Sequence, residues 1–173
     1  GDYMHVREGR DLVDYLARFE ITLALMQTEH AVERIAYELA ADAAGENVRY
    51  AEVRFCPALN TRGGLPADAV VDAALRGLRR AETEHDITTA VIVCGLRNLP
   101  VQTSIEMAEL AVAYKGRGVV AFDLAGAERG HPPIDHKPAF DIASDANLAI
   151  TIHAGEAFGP ASIHPAIHAC NAR

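Results

Sequence analysis

The chain has no tryptophan, only three cysteines and just 6% aromatic residues. Cys56, Cys94 and Cys170 are odd in number, far apart and never form a Cys-x-x-Cys pair, so neither a disulfide framework nor a thiolate zinc site is expected. Positive charge is scarce as well. Sixteen Lys and Arg stand against 24 Asp and Glu, the net charge is -8, and the densest basic cluster is Arg79-Arg80. Without a basic stripe or interleaved aromatic and basic residues, a nucleic-acid partner is not expected. No apolar run approaches the roughly 20 residues that cross a bilayer, and nothing resembles a signal peptide. The expected address is therefore the cytoplasm, with no membrane partner. Low-complexity segments and internal sequence repeats are missing too.

What remains is an apolar, patterned chain. Half of its 173 residues are hydrophobic, which suits a single domain over 1–173 with a substantial core. The chain begins Gly1-Asp2-Tyr3, with its first Met at position 4, as a piece of a longer protein would. Short β-rich runs occur at Val48 to Phe55, Ile87 to Leu96, Val119 to Leu124 and Leu148 to His153. Their starts fall roughly 30 to 40 residues apart, the length of a strand–helix–strand unit. Between them apolar residues recur at helical spacing: Val32, Ile35, Ala36 and Leu39 after a cap at Thr28; Val71, Leu75 and Leu78 after Leu65-Pro66; Ile105, Ala108 and Val112 after Ser104; Phe140 and Ala143 after Pro138. Alternation of this kind predicts a parallel α/β architecture.

In such an architecture all strand ends lie at one edge, where active sites are built. The polar residues at those ends are Arg54-Phe55-Cys56-Pro57, Leu96-Arg97-Asn98, Asp123-Leu124-Ala125-Gly126 and His153-Ala154-Gly155-Glu156. The last segment is the most informative. His153 closes an apolar strand, so it can point into a pocket while the next residues form the rim. An imidazole can ligate zinc, and a carboxylate nearby can receive or deliver a proton. The alternative is a hydrogen-bonded strand-end histidine followed by a glutamate in the first turn of a helix.

The other polar residues have simpler expectations. Glu52 and Arg54 lie on one strand face, and charges there cost desolvation energy unless paired, so they are expected as an ion pair within a barrel interior; the same caution covers Asp123. Cys56 and Cys94 are expected as small apolar packers. Gly126 either admits a ligand close to the backbone or supplies a turn with positive φ. His131 falls in a loop, and His164 and His168, with Pro165 between them, are expected on a solvated helix face.

Together the segments Tyr50-Ala51-Glu52-Val53-Arg54-Phe55, Val119 to Gly126 and Thr151-Ile152-His153-Ala154-Gly155-Glu156 resemble the adenosine deaminase family in its bacterial form, in order and separation as well as residue type. The resemblance extends over essentially the whole chain but only about the middle half of a complete family member. It implies a partial (β/α)8 TIM barrel, with about four parallel strands and flanking helices. It also implies a Zn2+ cofactor ligated by His153, proton delivery to a purine ring nitrogen by Glu156, and contact between the Gly126 backbone and the purine. The implied reaction is hydrolytic deamination of adenosine or deoxyadenosine in purine salvage, with a small-molecule purine nucleoside as the partner. Related enzymes acting on adenine or aminofutalosine share the His-Ala-Gly-Glu segment, and a non-catalytic fragment is a further alternative.

The family also carries a His-x-His pair upstream of this segment, and a Gly-His-Gly segment and paired aspartates downstream. None of these is in the sequence. Because catalytic zinc normally has about three protein ligands, these residues alone are expected to show little deaminase activity. Half a barrel also leaves two unpaired sheet edges, through which self-association is expected. Ala127 stands where many members have Asp.

Overall fold

A computed structural model describes residues 12–172. Residues 1–11 and 173 lie outside the described region, as do the domain bounds expected at 1 and 173. Two short helices, α1 (Leu12–Ala17) and α2 (Glu20–Leu25), lead into α3 (Glu29–Gly45). Then come β1 (Tyr50–Phe55), α4 (Ala67–Glu84), β2 (Thr88–Leu96), α5 (Val101–Ala113), β3 (Val119–Ala125), α6 (Lys137–Asp145), β4 (Ala149–Ile152) and α7 (Pro160–His168).

The strands pair in parallel in the order β1-β2-β3-β4. Strictly sequential parallel order, with a helix after every strand, is the arc of a β/α barrel. The register places Phe55 beside Val93, Val93 beside Phe122, and Phe122 beside Ile150. This is the outer face, and its apolar side chains pack against the helices. Val70, Val71, Leu75 and Leu78 of α4, Met107 and Ala108 of α5, and Phe140 of α6 join it in one core. The opposite face carries Arg54, Cys94 and Asp123, which approach one another as neighbours on successive strands.

Local signals explain most element bounds. Thr28 caps α3, its hydroxyl accepting from the Ala31 amide at 3.2 Å. Pro138 occupies the first turn of α6, where its missing N–H costs nothing. Pro66 precedes α4 as its N-cap residue instead of entering the first turn. Ser104 does not start a helix, because α5 begins at Val101. Its hydroxyl faces inward to His136 at 2.8 Å, which removes it from any capping role.

The expected Glu52–Arg54 ion pair does not form. Glu52 is exposed and accepts from the Tyr50 hydroxyl at 2.7 Å. Arg54 instead reaches across the sheet to Asp123, with Nη1 3.4 Å from Oδ2. A fully buried carboxylate needs a cation more than an exposed glutamate does.

Candidate active site

The site is built at the C-terminal ends of the strands, and its anchor is Asp123. This carboxylate is fully buried. It sits beside Thr151 in the ladder and accepts from the Thr151 hydroxyl at 2.9 Å. His153 Nδ1 lies 3.0 Å from Oδ2 and 3.3 Å from Oδ1. Burial pushes the Asp123 carboxyl up, but hydrogen bonds from His153 and Thr151 and the Arg54 charge outweigh it and hold the group below the ordinary carboxylate value. A carboxylate beside Nδ1 fixes the proton there and leaves Nε2 as the basic nitrogen. The His153 side chain is 41% exposed.

The backbone of His153 is fixed as well. Its amide donates to the Leu124 carbonyl at 3.0 Å, extending the ladder beyond β4. Its carbonyl accepts from Arg97 Nη2 at 2.5 Å, and Arg97 Nη1 donates to the His131 carbonyl at 3.1 Å. Arg97 is only 2% exposed. Burial lowers its pKa, against the opposing charges of Glu128, Asp123 and Glu156. Its own carbonyl lies 3.2 Å from Nε2 of buried His136.

After His153 the chain forms a loop up to Gly159, the residue before α7. Glu156 therefore lies on an exposed rim, not in a first helical turn. Gly126 has φ +96°, and a Cβ there would fall 2.4 Å from Asn98 Oδ1, whose side chain also accepts from the Ala127 amide at 3.3 Å. Both the positive φ and the close approach require glycine.

His153, Glu156 and Gly126 line one cavity of about 580 Å³. Leu16 of α1, Phe19 between the two helices and Leu23 of α2 give it apolar lining, and Cys56, Leu96 and Ala125 contribute from the strand ends. This volume lies in the range of small-molecule sites. A second opening of about 450 Å³ is lined by Asp123 and by residues 151–156, so His153 and Glu156 border both.

The site does not include every histidine. His164 and His168 stack with ring centroids 4.4 Å apart on the exposed side of α7, and His131 is exposed in a loop. Sequence reasoning missed Glu128, a buried carboxylate that binds the 153–159 loop from below. It also missed His136 and the hydrogen bond from Thr151.

As a metal centre the described residues offer one oriented imidazole. Among them no group of three or more His, Cys, Asp and Glu is arranged to hold an ion. Nε2 of His153, held by Asp123 through Nδ1, fits one position of a zinc site and cannot form such a site alone.

The adenosine deaminase family profile matches residues 2–173. An adenosine deaminase from Mycobacterium sp. (strain KMS) is 48% identical over 166 residues, covering 93% of this chain and 45% of that protein. The chain thus spans about half the length of the curated relatives it matches. Among solved structures, the adenine deaminase AAur1117 from Arthrobacter aurescens superposes with a TM-score of 0.87 at 25% identity, over 99% of this chain and 51% of that one. A zinc-bound amidohydrolase from Burkholderia ambifaria shares the fold, with a TM-score of 0.88 at 24% identity over 99% of this chain and 48% of its own. Profile, sequence identity and strand-end geometry converge, and the chain belongs to the adenosine deaminase family.

Proposed function

We propose that the protein carrying this chain removes ammonia hydrolytically from adenosine or deoxyadenosine, as a soluble enzyme of purine salvage in the cytoplasm. One observation carries the reading: His153 and Glu156 border the same cavity, to which Leu16, Phe19 and Leu23 add apolar side chains. His153 is assigned as a zinc ligand through Nε2, and Asp123 keeps its ring in the required tautomer. When bound, zinc would activate water as a nucleophile. The remaining ligands lie outside the residues described.

Glu156 is assigned as the acid. Attack at the amino-bearing carbon of a purine drives electrons onto the ring, and a carboxyl group on the cavity rim can protonate the adjacent ring nitrogen. The Gly126 backbone, which lines the same cavity, is assigned to the edge of the base. Leu16, Phe19 and Leu23 supply an apolar surface against which a purine can pack and from which water is displaced.

A second reading, deamination of adenine or another aminopurine, has support in the similarity to the Arthrobacter aurescens adenine deaminase. Ammonia release from adenosine, adenine and aminofutalosine by the protein at its native length separates the two. Turnover of adenosine and deoxyadenosine above the others is expected. Turnover of adenine alone would replace the nucleoside assignment.

A further inference from the structure

The loop that carries Glu156 has no regular structure of its own, yet the amides of Gly155, Ala157 and Phe158 are held by one buried side chain. Glu128, only 4% exposed, receives them. Its Oε1 accepts from the Gly155 amide at 2.6 Å, and its Oε2 accepts from the amides of Ala157 at 2.5 Å and Phe158 at 2.9 Å. The Ser162 hydroxyl at the start of α7 hydrogen bonds to Oε1 as well. The two oxygens therefore bind the residues on either side of Glu156, one each. Burying a carboxylate is costly and seldom worthwhile for stability alone. Successive amides turned toward one anion form a concave nest with a defined backbone path.

We propose that Glu128 is a positioning residue for Glu156. By bridging the amides before and after it, Glu128 sets the backbone of Glu156 and so the direction from which its carboxyl enters the cavity. Arg97 fixes the other end of the same segment through the His153 carbonyl. Acid and imidazole are thereby held at a set separation by two buried charges of opposite sign, neither of which touches a substrate. This role rests on the deaminase reading of the site.

The test uses Glu128→Gln and Glu128→Asp in the protein at its native length, with adenosine as substrate. Gln turns an amide NH2 toward the loop N–H groups, and Asp keeps the charge but falls one methylene short. Misplacing the acid should lower kcat by on the order of 100-fold in Glu128→Gln, with KM changed less than about threefold. Zinc content should stay at the unsubstituted level, because His153 keeps Asp123 and Arg97. Glu128→Asp should restore part of kcat. Amide hydrogen exchange at Gly155, Ala157 and Phe158 should quicken in both variants. A lowered melting temperature with kcat and its pH profile unchanged in the folded enzyme would overturn the proposal, and so would unaltered exchange at the three amides. Should Glu128→Gln not fold, Glu128→Asp is judged by the same criteria. If the unsubstituted protein deaminates none of the aminopurines, the functional reading fails, and the exchange experiment still decides whether Glu128 organises the loop.

Discussion

A histidine sealed between a hydroxyl and a carbonyl has its charge state decided by burial. His136 sits between Ser104 Oγ at 2.8 Å and the Arg97 carbonyl at 3.2 Å, and desolvation pulls its pKa below the ordinary value of 6.5, despite the carbonyl. As pH falls through 6.5 the unfolded chain takes up this proton before the folded one does. Stability should therefore decline from about pH 6.5 downward and level off once the folded ring also titrates. Urea unfolding at a series of pH values should show this slope, and His136→Asn should flatten it. An equal slope in the variant would place the linkage elsewhere. The two assigned site residues separate by readout. His153→Ala should lower bound zinc, whereas Glu156→Gln should keep it and cut turnover by about 100-fold or more, since proton delivery is worth roughly 10² to 10⁴. Unchanged zinc in the first variant, or retained turnover in the second, would refute the corresponding role.

At the scale of elements, α3 packs along α4. Gly77 makes it possible: a Cβ there would meet the Glu33 carbonyl oxygen at 2.1 Å and the Tyr37 amide nitrogen at 3.0 Å. Alanine is favoured over glycine in a helix by about 1 kcal/mol, but overpacking costs about 1–3 kcal/mol. Because the obstructing atoms are backbone, the second effect should win. Gly77→Ala is expected to lower the denaturant midpoint, and an unchanged or raised midpoint would show that the helices can separate at little cost. Elements of this kind were largely legible in the sequence. The cap at Thr28, the four strands and the helix with Pro138 in its first turn each follow from neighbouring residues in the chain. His153 was legible for the same reason, since alternation along β4 determines where a strand-end side chain points. Glu128 was not. Its partners are backbone amides 27 to 30 residues away, and an amide leaves no trace in residue type. Ser104 misled because a serine before an apolar periodic run has the composition of a cap, and only the position of His136 shows its hydroxyl turned inward.

For the molecule as a whole, the open side of the sheet matters most. Among the described residues β1 and β4 each have one strand neighbour. Along β1, Tyr50, Glu52 and Arg54 are exposed on the concave face. Unpaired edges and an open face favour association, so the 173 residues alone are expected to sediment above the 18.6 kDa of one chain. A lysine at exposed Ala149 on β4 should oppose that association. A monodisperse monomer across micromolar concentrations would show that the edges are harmless. The strand order has a separate implication for biosynthesis. Among the described residues β2, β3 and β4 each pair with the strand just before them, so a nascent polypeptide leaving the ribosome amino end first finds the docking template for each of these strands already made. From β2 to β4 the growing sheet never has to wait for a distant partner, and at each step the margin laid down last is the one that the next unit of translation covers.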